Sequence, residues 1–236
     1  MKFSFYLFGS LFLMMGLSAC FSEPEYEEAP VITAIEDLYF VDVQGGFDSL
    51  VVSVAFTDGD GDLGLSSREL DNDRFGPFEL PLPRRDGALV KLGSYNDLPE
   101  FNCEDYTFPA DLTNPVIDGE TITDTILVKR NPFVTNFEVT IFIRQEGGEY
   151  EELNFRRELC RPPLGGRFSP LKDNFSNDNP RVGTITHFAS SRSFKSLFRN
   201  DSLKIGVVIR DRSGNESNMF IKEDAFTLNE ITRLPE

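Results

Sequence analysis

Leu50-Val51-Val52-Ser53-Val54-Ala55-Phe56-Thr57-Asp58-Gly59-Asp60-Gly61-Asp62-Leu63-Gly64 is an apolar alternation that runs straight into an acidic turn. Leu50, Val52, Val54 and Phe56 face one way while Ser53 and Thr57 face the other, the period of two that a half-buried β-strand requires. The pattern recurs where Phe137, Val139, Ile141 and Ile143 oppose Glu138, Thr140 and Arg144. It recurs again where Leu203, Ile205, Val207 and Ile209 oppose Lys204 and Arg210. Weaker strand signals run over residues 31–43, 121–129, 150–155, 182–188 and 218–222, and Gly147-Gly148 reads as a tight hairpin turn.

Helical signal is scarce. Phe194, Leu197 and Phe198 have the i, i+3, i+4 spacing of one short helix, and no heptad or internal repeat is present. Many short strands with glycine and proline punctuation predict an all-β fold, an antiparallel β-sandwich with at most one or two short helices. The 23 phenylalanines suit its core, since each buries a large apolar area with no polar atom to satisfy. Residues 65–115 and 160–181 carry little periodicity and are expected to be long loop insertions with a functional role.

The chain of 236 residues has 23 basic against 39 acidic side chains, a net charge of −16. Nucleic-acid affinity comes mainly from Lys and Arg on phosphates, so this balance predicts no nucleic-acid partner. It favours cations and basic surfaces instead. Lys2, the apolar run Phe3 to Gly16 and the small residues that follow have the n-region, h-region and cleavage site of a secretory signal; the alternative is a retained N-terminal membrane helix. Residues 1–19 are accordingly expected to be a removed leader, 20–30 an acidic flexible tether and 31–236 one elaborated sandwich domain.

Leu17-Ser18-Ala19-Cys20 resembles the lipobox of bacterial lipoproteins, which implies that Cys20 is the lipidated first residue of the mature chain. The acidic residues soon after it resemble the surface-export signal of Bacteroidota-type lipoproteins, against the alternative of a linker with no address in it. That resemblance implies a lipid-anchored protein of the outer membrane facing the cell exterior. Cys103 and Cys160 remain as an even pair, which in an exported protein predicts one disulfide holding the two insertions together; a metal or redox role would need more ligands or a C-x-x-C spacing.

The acidic turn carries the sharpest chemistry. Asp58, Asp60 and Asp62, separated by single glycines, can turn toward one point, and three like charges so close call for a cation. Hard oxygen ligands select Ca²⁺, with affinity in the range of about 10⁻⁴ to 10⁻³ M typical of extracellular modules. Glu69 falls at the twelfth position of an EF-hand-like loop, with Asp71 and Asp73 as other candidates to complete the shell. Leu63 occupies the place where an EF-hand needs glycine and a strand leads in, so the expected site is a strand-to-loop calcium turn. The alternative is a solvated acidic turn.

Phe56 to Gly64, together with Val207 to Asn218 near the end of the chain, is similar to Bacteroidota surface lipoproteins with an immunoglobulin-like sandwich. The run Asp211, Gly214-Asn215, Ser217 resembles the turn before the last strand of bacterial immunoglobulin-like domains. Catalysis is not expected: His187, the only histidine, sits in a strand signal and reads as structural, which leaves no Ser-His-Asp triad and no multi-histidine zinc site. A glycan-binding module would display exposed Trp or Tyr, and the chain has no Trp and six Tyr. The expected function is a non-catalytic, calcium-binding accessory lipoprotein docking on an outer-membrane protein complex through residues 65–115 and 160–181. A glycan-binding surface module is the alternative, and behind it a hydrolase working through paired carboxylates.

Overall fold

The computed structural model describes residues 25–43, 46–66, 69, 73–112, 115–117, 119–171, 180–191 and 194–233; the expected leader and Cys20 lie outside them. In chain order the strands are β1 (Val31–Val41), β2 (Asp48–Asp58), β3 (Arg84–Arg85), β4 (Ala88–Leu89), β5 (Tyr106–Thr107), β6 (Val116–Ile117) and β7 (Glu120–Thr121). There follow β8 (Ile126–Leu127), β9 (Phe137–Arg144), β10 (Tyr150–Glu152), β11 (Arg181–Ser191), β12 (Leu203–Ile209), β13 (Phe220–Phe226) and β14 (Thr232–Arg233). The longest of them grow from the three alternating runs and from the 31–43 and 182–188 signals.

Two four-stranded sheets, ordered β11-β2-β1-β14 and β10-β9-β12-β13, bury their facing sides against each other. Strands β1, β2, β9, β10, β11, β12 and β13 occupy the places of A, B, C, C′, E, F and G of an immunoglobulin sandwich. The core is built from the inward halves of the alternating runs: Leu50, Val52, Val54 and Phe56 meet Phe137, Val139 and Ile141 and the row Leu203 to Ile209. Burial of each such side chain contributes about 1.5–3 kcal/mol. Lying between β1 and β11, β2 is covered on its other face too, where Ser53 and Thr186 share a 2.8 Å hydrogen bond.

One pairing departs from the all-antiparallel expectation. β14 runs parallel to β1, with Phe40 opposite Thr232 and Val41 opposite Arg233. The chain leaves β13 on one sheet and crosses to the open edge of the other, where Arg233 grips Asp37 through two nitrogens (2.6 and 3.0 Å) and lies over the Tyr39 ring. An unpaired edge is thereby covered.

Two short helices are present among the described residues. Phe194–Phe198 is the one the spacing predicts, with Phe194 packed edge-on against Phe40 at 6.0 Å. Phe155–Leu159 lies where the sequence reading ended a strand at residue 155. Reciprocal capping explains the difference: Asn154 Oδ1 accepts from the Arg157 N–H at 2.9 Å while Glu158 Oε1 accepts from the Asn154 N–H at 2.9 Å. Gly148 takes a positive φ in the β9–β10 turn, as the hairpin expectation requires.

The stretch expected as a loop over residues 65–115 belongs to a larger insertion, 59–136, between β2 and β9. It has an apolar cluster of its own, in which Ile122, Ile126 and Val128 return to cover Phe78 and Leu82. Its paired segments are two residues long, too short to leave a period in the sequence. Cys103 and Cys160 lie at disulfide distance, with Cα atoms 5.1 Å apart, and tie this insertion to the end of the Phe155–Leu159 helix.

Asn218 closes the sandwich at one end. Its side chain accepts from the Ile32 N–H at 2.9 Å and donates to the Ile32 carbonyl at 3.1 Å, standing in for a strand partner across the two sheets. Asn218→Ala is expected to cost about 2 kcal/mol by leaving both backbone groups of Ile32 unpaired. Urea denaturation would register this as a lower midpoint at unchanged slope, and an unchanged midpoint would contradict it.

Candidate metal centre

In an immunoglobulin sandwich the B–C and F–G connections emerge at the same end. Here the B–C connection opens with the acidic turn after β2, and the F–G connection opens with Asp211 after β12. An antiparallel bridge between Leu63 and Asp211 draws them together. Asp58, Asp60, Asp62 and Asp211 each bring a carboxylate oxygen into one group in which all these atoms lie within 4.8 Å of one another.

The loop's local chemistry shapes the group. Gly61, with φ of 71°, bends the chain back, and the Asp62 N–H bonds the Asp60 carboxylate at 3.3 Å. Ser213 donates from both N–H and Oγ to Asp62 Oδ2, at 3.0 and 2.8 Å. Asp211 accepts from the Gly214 and Asn215 N–H groups and from the Asn215 side-chain amide. The turn from Asp211 to Ser217 is thus the frame that orients a fourth carboxylate.

Three oxygens are left out of this network. Among the described residues, both carboxylate oxygens of Asp58, a residue with no exposed surface, and Oδ1 of Asp62 are buried without a hydrogen bond of good geometry, the Leu63 N–H giving Asp58 only a weak contact. Such orphans are costly and rare in folded proteins. Burial, with repulsion from Asp60, Asp62 and Asp211, pushes the Asp58 carboxyl up to about 7. Burial likewise raises Asp60, helped by repulsion from Asp62, Asp211 and Glu28, and raises Asp211 in spite of its hydrogen bonds. The cluster can hold a metal ion, and its donor set, carboxylate oxygen with no nitrogen or sulfur, is that of a hard cation.

Glu69 stands apart. It accepts from the Ser66 N–H at 2.5 Å and faces Arg212 at 3.4 Å, contacts that outweigh burial and hold its carboxyl below the usual range. It therefore braces the loop next to the cluster without joining it. Asp71 lies outside the described residues, as does the Asp73 side chain. Asp211 was visible in the sequence as a turn residue; nothing there signalled that it faces Asp58, because only the F–G placement brings them together.

The acidic segment before β1 also reaches this end. The Gly59 N–H donates to the Glu27 carbonyl at 2.8 Å, and a β-carbon at residue 59 would stand 2.5 Å from that oxygen. The last residues of the expected tether therefore lie across the acidic turn, with Pro30 buried. His187 packs its ring on Phe137 at 4.9 Å and bonds the Leu164 carbonyl through Nε2, while burial lowers its pKa. Comparisons with protein families, with curated proteins and with solved structures find no match to this chain.

Proposed function

We propose that this chain is a non-catalytic, lipid-anchored outer-membrane lipoprotein whose sandwich binds Ca²⁺ between its B–C and F–G connections and docks on an outer-membrane protein complex. The observation that carries the metal part is the fully buried, unpartnered Asp58 carboxylate facing three further aspartates. Ca²⁺ accepts six to eight oxygens in adaptable geometry, which suits ligands drawn from two loops better than the strict octahedron of Mg²⁺. The address rests on the Leu17-Ser18-Ala19-Cys20 sequence behind its apolar leader. The docking surface rests on the insertion, where the Phe101 and Phe108 rings meet at a tilt, 5.1 Å apart, and are 41% and 38% exposed. Calcium would fix the end of the sandwich from which that insertion springs.

Isothermal titration of the purified protein with Ca²⁺ is expected to give one site, lost or weakened at least tenfold in Asp60→Asn. Affinity should fall as pH drops below about 7, because the ion has to displace the proton that Asp58 then holds. A flat titration at pH 8 would remove the metal. Gentle detergent extraction of the native protein, with identification of what accompanies it, tests the docking role; a solitary monomer would count against it.

A further inference from the structure

Three arginines line one cavity of about 270 Å³ between the insertion, β9 and the Phe155–Leu159 helix: Arg130, Arg156 and Arg210. Three glutamates, Glu104, Glu138 and Glu152, line the same cavity, but among the described residues only Arg210 of the three arginines is in a direct ion pair. Arg130 is immobilised by neutral acceptors alone: its Nε donates to the Glu104 carbonyl and its Nη2 to the Cys103 and Tyr106 carbonyls at 2.7 and 2.9 Å. Its face lies over the Phe78 ring at 5.0 Å. The Arg156 guanidinium, half-buried, makes no hydrogen bond or ion pair among the described residues. Arg210 is 7% exposed and engages Glu138 and Glu216 at 2.6 Å, but among the described residues its buried Nη1 has no acceptor.

We infer that this cavity is a binding site for a small oxyanion, a carboxylate or a phosphate-type group, clasped between Arg130 and Arg156. The Arg156 guanidinium keeps its whole fork, which matches carboxylate and phosphate oxygens geometrically, while Arg130, its Nε and Nη2 spent on carbonyls, offers Nη1 and a positive charge that carbonyls alone do not offset. Burial, and next to it the neighbouring Arg156, hold the Arg130 guanidinium down at about 10, a repulsion that an anion between the two would relieve. Asn131 and Thr140 add polar groups to the wall. Glu104 also lines the cavity and is felt by both arginines, yet forms no ion pair with either among the described residues. It is therefore the carboxylate an incoming anion competes with.

The Cys103–Cys160 pair holds the site together. Cys103 supplies a carbonyl to the Arg130 cradle, and Cys160 ends the helix that carries Arg156. The site shares no residue with the aspartate cluster, although Arg210 adjoins Asp211, and its test runs in EGTA, where failure of the calcium reading has no bearing. Isothermal titration with inorganic phosphate and, separately, succinate is compared with chloride at matched ionic strength. Saturable binding of phosphate or succinate is expected, with the tighter of the two identifying the class. Arg156→Gln should weaken it at least tenfold and Glu104→Gln should tighten it severalfold. Heats indistinguishable from chloride, or binding unmoved in both variants, would overturn the assignment.

Discussion

Asp58→Asn is expected to melt higher than the wild-type protein in EGTA at pH 8 and to lose the calcium response altogether. Without a cation the wild-type fold holds a buried, unpartnered carboxylate beside Asp60, Asp62 and Asp211. Its folded pKa of about 7 lies above the ordinary 3.8, so the folded state binds the extra proton across that window. Stability is accordingly lost as pH rises from about 4 to about 7, and the whole penalty is present above. A shift of this size corresponds to at most about 4 kcal/mol. The asparagine amide, itself short of partners, gives back about 1–3 kcal/mol, leaving a net gain on the order of 2 kcal/mol. In the wild type, 10 mM Ca²⁺ against a dissociation constant of about 10⁻⁴ to 10⁻³ M adds roughly 1.4–2.7 kcal/mol. For a domain of this size that is a rise of about 3–10 °C. Differential scanning calorimetry with and without Ca²⁺ reads both signs at once. A variant that is less stable in EGTA and still responds to calcium would show that Asp58 is no ligand.

Breaking the Cys103–Cys160 link is expected to lower stability by about 4 kcal/mol, the chain-entropy value for a loop closed across a separation of 57 residues. The midpoint should fall by about 8–16 °C. The loss should be concentrated where the bond acts: hydrogen exchange is expected to quicken in residues 103–111 and 155–160 before the sandwich strands open, because the insertion keeps a separate and smaller apolar cluster. Calorimetry and exchange on Cys103→Ser, or on protein held in reductant, test this. An unchanged midpoint would mean that the insertion is held by packing alone.

Much of the sandwich was legible in the chain because a strand buried on one face has to alternate. Leu50 to Phe56, Phe137 to Ile143 and Leu203 to Ile209 could not pack in any other conformation without exposing half their apolar side chains. The Phe155–Leu159 helix escaped notice because its cause is a cap between Asn154 and Glu158 that holds for barely more than one turn. The insertion's own core was equally hidden, since paired segments of two residues carry no period.

The acidic turn divides in the same way. Asp58, Asp60 and Asp62 announce themselves through single-glycine spacing, a local property that needs no knowledge of the fold. Glu69 had the spacing of a ligand but turned to Ser66 and Arg212, partners that spacing cannot foresee. Asp211 had no such spacing, and Arg130 and Arg156 gave no signal at all. The sequence by itself determined the long strands of the sandwich, the cysteine pair and three of the four clustered aspartates, because backbone alternation, residue type and nearest-neighbour charge act over a few residues. Only the tertiary structure decided the fourth aspartate and the arginine cavity, because those depend on which connections share an end of the sandwich and which loop the disulfide holds against which helix.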